Sequence, residues 1–150
     1  MSDEFSIINK TRGKLPSLPL LALKEEILGE KYSLSLAFVK KNKMRKLNKT
    51  YRNIDKATNI LSFPLSKKSG EIAICPMIVK TELKKFERNY KELLGFLVIH
   101  GMLHLKGMQH SSRMEIAEKK YDQKYFSRNR YRLLYDTSRS GRIFKRRKKS

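Results

Sequence analysis

Cysteine is almost missing from this chain: Cys75 is the only one in 150 residues. A single thiol excludes an intramolecular disulfide and a multi-cysteine zinc site. Acidic residues are also scarce, 14 Asp and Glu against 35 Lys and Arg. No apolar run approaches the roughly 18–20 residues that a bilayer span needs. The opening MSDEFSIINK lacks the basic start and apolar stretch of a secretory signal. There are no internal repeats. What remains is a chain of one-domain length, 39% apolar, with enough for a core. The expectation is a soluble, cytoplasmic domain.

The charge surplus is 35 − 14 = +21. Such a surface attracts polyanions, and released counterions drive the association. Nucleic acid is the first candidate partner and an anionic membrane surface the second. Residues 128–150 carry ten Lys or Arg and one acid, Asp136, a local charge of +9. The closing run from Phe144 to Lys149 has no apolar periodicity and reads as a basic tail, for interaction or for solubility. The expected division is a folded domain over 1–127 and a basic extension over 128–150, flexible at its end.

Apolar spacing sets out the elements. Strands are expected over Phe5–Asn9, Ser33–Val39, Asn59–Phe63 (stopped by Pro64) and Glu71–Cys75. Helices are expected over Leu18–Leu28, Lys41–Arg52 with Asn42 as cap, Val79–Phe86, Tyr90–Lys106 and Ser111–Phe126. Leu20, Leu21, Leu23, Ile27 and Leu28 form the apolar stripe of the first helix. Tyr90–Lys106 is apolar nearly all round, so it should be the buried central helix, capped by Gly107. The fold class is α+β: one small domain with a mixed four-stranded sheet and about five helices.

All three histidines, His100, His104 and His110, fall within eleven residues. Residues four apart on a helix share a face, so His100 and His104 project together. Gly107 lets the chain turn back and bring His110 to them. Three imidazoles with an open fourth position suit Zn²⁺ or a similar divalent ion. The metal would be catalytic if that position stays open and structural if it is filled; Cys75 is a conceivable fourth ligand or simply buried filler. The spacing is that of H-E-x-x-H-x-x-G-x-x-H metalloproteases, but Gly101 stands where their glutamate base belongs, which argues against peptide hydrolysis.

The stretch from Leu47 to Pro64, the run Gly70-Glu71-Ile72-Ala73-Ile74-Cys75 and the histidine segment from His100 to His110 together resemble the YbeY family of bacterial endoribonucleases. The resemblance is close over residues 47–110 and looser at the flanks. It implies a small α+β sheet over the histidine helix. It implies one zinc per monomer on His100, His104 and His110, and metal-dependent cleavage of single-stranded RNA. The biological role implied is ribosomal RNA processing, chiefly at the 3′ end of the 16S RNA, with ribosome quality control. Partners would be ribosomal RNA and the small subunit, with ribosomal proteins or GTPase assembly factors, and no membrane. The family's functional arginine maps onto Arg52. Two departures stand out: Glu71 replaces a usual aspartate, and Met108-Gln109 replaces Tyr-Asp, removing a carboxylate beside the last histidine.

On this reading the metal polarises a phosphate oxygen, activates a water, or both. Arg52 pairs with phosphate. Thr58, Asn59 and Ser62 line the groove, or satisfy backbone groups at the strand edge. Glu71 is the candidate general base by type, and attack by a ribose 2′-hydroxyl is an open alternative. The competing reading is a non-catalytic RNA- or ribosome-binding assembly factor with a structural zinc.

Overall fold

The computed structural model describes residues 4–126. The basic extension of residues 128–150 lies outside the described residues. The elements are β1 (Phe5–Asn9), α1 (Leu20–Ile27), β2 (Ser33–Phe38), α2 (Lys41–Arg52), β3 (Ile60–Ser66), β4 (Ser69–Ile74), α3 (Pro76–Thr81), α4 (Leu83–Phe86), α5 (Tyr90–Leu105) and α6 (Ser112–Tyr125). The sheet has the order β1-β2-β4-β3. β1, β2 and β4 run parallel, and β3 returns antiparallel along β4. This is the mixed four-stranded α+β sheet expected, with six helices among the described residues rather than about five.

Strand alternation divides the core between two faces. Leu34, Leu36 and Phe38 of β2 and Ile72 and Ile74 of β4 point one way, into a cluster with α1, α5 and α6. Leu61 and Ala73 point the other way and pack with Met44 of α2, Val39 and Cys75. α5 is the central helix. Ten of its sixteen residues are buried, as its all-round apolar sequence requires. An Asn89–Glu92 capping box starts it.

Several local expectations are corrected. Lys40, not Asn42, is the N-cap of α2, and no side chain caps it. The expected helix over Val79–Phe86 is two short helices, α3 beginning at Pro76, where proline's fixed φ suits a first turn. Pro64 does not stop β3. The strand is at the sheet edge, where a missing N–H is tolerated, and it continues to Ser66 through a register shift. In α1, Leu21 is 56% exposed while Lys24 is 2% exposed, its Nζ donating to the Glu30 carbonyl oxygen at 2.7 Å. Lys24 shares a face with Leu20 and Ile27, so its stem packs in the core while its ammonium reaches a carbonyl at the helix end.

Candidate metal centre

His100 and His104 sit one turn apart on α5. The helix ends in a Schellman motif: Gly107 N–H donates to the His104 carbonyl, and Met108 N–H to the Leu103 carbonyl. Gly107 has φ +104°, which a β-carbon would disfavour. The reversal carries the chain back over the last turn of α5, and Ser111, capping α6 by accepting from Met114 N–H, fixes the far side. His110 is thereby held against the other two. Ring centroids are 4.5 Å (His100–His104), 5.1 Å (His100–His110) and 4.9 Å (His104–His110) apart. One ring nitrogen from each lies within 4.8 Å of the others. His110 is exposed and the other two half-buried, so the cluster opens to solvent on one side.

The outer nitrogens decide the chemistry of the inner ones. His104 Nδ1 lies 3.0 Å from the Met108 carbonyl oxygen, which can only accept, so Nδ1 carries the proton. His100 Nδ1 contacts a Glu118 carboxylate oxygen of α6, which fixes its proton on Nδ1 likewise. In the neutral rings both Nε2 atoms carry the lone pair, and they lie 3.0 Å apart. Two lone pairs at that distance repel unless a cation lies between them. Imidazole ligands held from behind by a carbonyl and a carboxylate are the usual support of a metal site. The residues fit a divalent ion. His104 is also held below its usual protonation range, first by burial and then by the nearby His100, which keeps it neutral for ligation.

Gly101 explains why the protease glutamate is absent. A β-carbon there would lie 2.9 Å from Ile60 Cδ1 and 3.0 Å from Ser62 Oγ. That position faces the sheet, not the histidine face, and only glycine lets α5 approach β3 this closely.

The other expected residues fall elsewhere. Glu71 is exposed on β4 and points to the sheet face opposite α5, because Gly70 and Ile72 on either side of it face Leu105 and Gly101. It is not the base of this centre. Cys75 is fully buried in the cluster with Met44 and Ala73, on that same opposite face, and is no fourth ligand. Arg52 is the last residue of α2, exposed, with no hydrogen bond or ion pair to any described residue. Thr58 is half-buried in the loop before β3. Asn59 Nδ2 donates to Glu82 Oε1 at 2.8 Å, and Ser62 Oγ donates to the Gly101 carbonyl oxygen at 3.3 Å. Ser62 therefore steadies the histidine helix one residue from His100.

Glu118 is the residue that sequence reasoning missed. It lies on the stripe of α6 that includes Met114 and Tyr121, both buried. An acid at i+4 from a core methionine was the available signal. Its carboxylate stands beside the histidine cluster although Met108-Gln109 offers none.

A family model described as Endoribonuclease YbeY matches residues 7–128. The chain is 32% identical over 117 residues to an Endoribonuclease YbeY of Staphylococcus carnosus, covering 70% of this chain and 76% of that protein. It is 31% identical over 115 residues to an Endoribonuclease YbeY of Finegoldia magna, covering 72% and 75%. The solution structure of a protein from Thermotoga maritima matches with a TM-score of 0.61 and 30% identity, covering 85% of this chain and 93% of that one.

Proposed function

The chain belongs to the YbeY endoribonuclease family, and from that premise we propose that it is a zinc-dependent endoribonuclease that cuts single-stranded ribosomal RNA during small-subunit maturation. The supporting observation is the pair of His100 and His104 lone pairs converging at 3.0 Å beside His110, on a side open to solvent. An open three-nitrogen site is the catalytic arrangement, whereas structural zinc is enclosed by four ligands. When bound, the ion supplies electrophilic polarisation of a phosphate oxygen and acidifies a water.

The protein's own groups do the rest. Glu118 and the Met108 carbonyl orient two of the imidazoles, each by accepting from an Nδ1–H. Ser62 and Gly101 fix the distance between α5 and the sheet edge. Arg52, unpaired with any described acid, is available to a phosphate, where its planar fork suits two oxygens. The surplus of +21 supplies the long-range attraction for an RNA strand. Ribosomal RNA, the small subunit and its assembly proteins are the partners we assign, and the cytoplasm the compartment.

Purified protein, with His104→Ala and Arg52→Ala beside it, is tested on a labelled single-stranded RNA. Wild type cuts, His104→Ala is inactive and Arg52→Ala is strongly impaired. Equal cutting by all three would assign the activity to a contaminant and leave a zinc-braced RNA-binding factor.

A further inference from the structure

One cavity lies apart from the histidines. It is a cleft of about 620 Å³ where the three parallel strands end: residues 11–15 follow β1, 39–42 follow β2, and Pro76 and Met77 follow β4. Crevices at the carboxyl ends of parallel strands are common ligand sites, and this volume is that of a small-ligand pocket. Among the described residues, six cationic side chains line it and no acid does. Arg45 is already paired with Asp55, and Lys80 lies over the Tyr90 ring. Arg12, Lys14, Lys40 and Lys41 have no acidic partner among the described residues. Between them, Val39, Met77 and the Tyr90 ring offer apolar surface.

Two local features sharpen the reading. Lys40 and Lys41 stand at the N-terminus of α2, which has no acid in its first turn and no side-chain cap. Cations at the positive end of a helix dipole repel it, and an anion there relieves both. The Arg12 loop is held in advance: Asn9 Oδ1 accepts from Thr11 N–H and Oγ1–H, and Asn9 Nδ2 donates to the Gly13 carbonyl. A pre-formed rim of cations around an apolar surface matches one chemistry well, a nucleotide, with its base on the apolar lining and its phosphates on the rim.

The cleft is separate from the histidines. Tyr90 lines it, and His100 lies ten residues further along the same helix, about 15 Å at 1.5 Å per residue. We propose that the cleft is a second RNA site, which seats a nucleotide of the strand whose target phosphate lies at the histidine centre. This rests on the endoribonuclease reading. It adds that substrate choice includes a contact about 15 Å along α5 from the cut, so that RNAs too short to span that distance are poor substrates.

The test compares cleavage of a 20-nucleotide oligouridylate with that of the dinucleotide UpU, which is too short to reach from the histidines to the cleft. Wild type, Lys40→Ala/Lys41→Ala and a charge-matched control, Lys84→Ala/Lys85→Ala on α4, are assayed across salt concentration. For the 20-mer, the Lys40/Lys41 pair raises KM about tenfold with kcat unchanged. It also lowers the slope of log KM against log salt by about 1.4, from two phosphates at roughly 0.7 each. The dinucleotide constants stay at wild-type values. Asn9→Ala, which removes no charge, raises KM for the 20-mer and not for the dinucleotide. A 20-mer KM and salt slope equal to those of the control overturn the proposal. If wild type cuts neither oligonucleotide, the reading of the histidine centre falls instead. The cleft is then judged by fluorescence anisotropy of the labelled 20-mer, where the Lys40/Lys41 pair must still weaken binding about tenfold.

Discussion

His104 is where burial and ligation act in the same direction. Its protonated form is disfavoured by burial and by the neighbouring His100. The folded value is therefore below the ordinary 6.5, and the unfolded chain takes up a proton in a range where the folded chain does not. Stability from this group is full above about pH 6.5 and is lost as pH falls through the lowered folded value. Metal retention follows the same direction, because a protonated imidazole cannot ligate. Chelator competition between pH 7.5 and 5.5 is expected to show affinity falling with acid; affinity rising with acid would contradict this account. Glu118 carries the second expectation at this scale. Glu118→Ala should weaken metal binding by about 10–100-fold while the fold persists, as loss of such a supporting group generally does. Circular dichroism and metal titration check the two halves. The histidines were legible because their spacing is local to one helix and one turn. Glu118 was not, because its partner His100 is 18 residues away and the contact exists only once α6 packs on α5.

Among the elements, α6 is held to the base of α5 by a buried ion pair. Arg88 Nη1 lies 2.8 Å from Asp122 Oδ2, with side chains 4% and 0% exposed, and the guanidinium stacks over the Phe96 ring. Removing one charge leaves the other buried, which costs about 3–5 kcal/mol. Asp122→Ala should lose that much in urea unfolding, whereas the joint change Arg88→Met/Asp122→Leu should recover most of it. A loss under about 1 kcal/mol for Asp122→Ala would show that solvent reaches the pair. Because α6 delivers Glu118, the single variant should also loosen metal binding. Legibility at this scale follows how local the signal is. α5 and β2 announce themselves by an unbroken apolar run and by alternation. β3 was read short because Pro64 is a strand-breaker anywhere except an edge, and which strand is the edge is a property of the assembled sheet. Lys24 was passed over for Leu21 because a lysine reads as polar until a carbonyl at the helix end meets it.

Across the whole molecule, the two faces of the sheet divide its work. One carries the histidine helix, and the other carries α2, with Glu71 exposed on that side. Glu71 and His100 both belong to segments that resemble the family, yet the strand's period of two places that carboxylate on the wrong side. Only the three-dimensional arrangement reveals it. The charge of +21 is likewise a molecular property, spread over the cleft, the surface and the extension of residues 128–150. Deleting that extension should flatten the salt dependence of RNA affinity while leaving bound metal unchanged. An unaltered slope would make it a solubilising tail.

The central claim is that three converging imidazoles hold one ion that makes this protein cut RNA. Its most direct test is cleavage of a labelled single-stranded RNA by protein stripped of metal and titrated with Zn²⁺. The account predicts no cleavage by the stripped protein and full recovery at one equivalent per chain, with none in His104→Ala. Cleavage that survives stripping unchanged would contradict it.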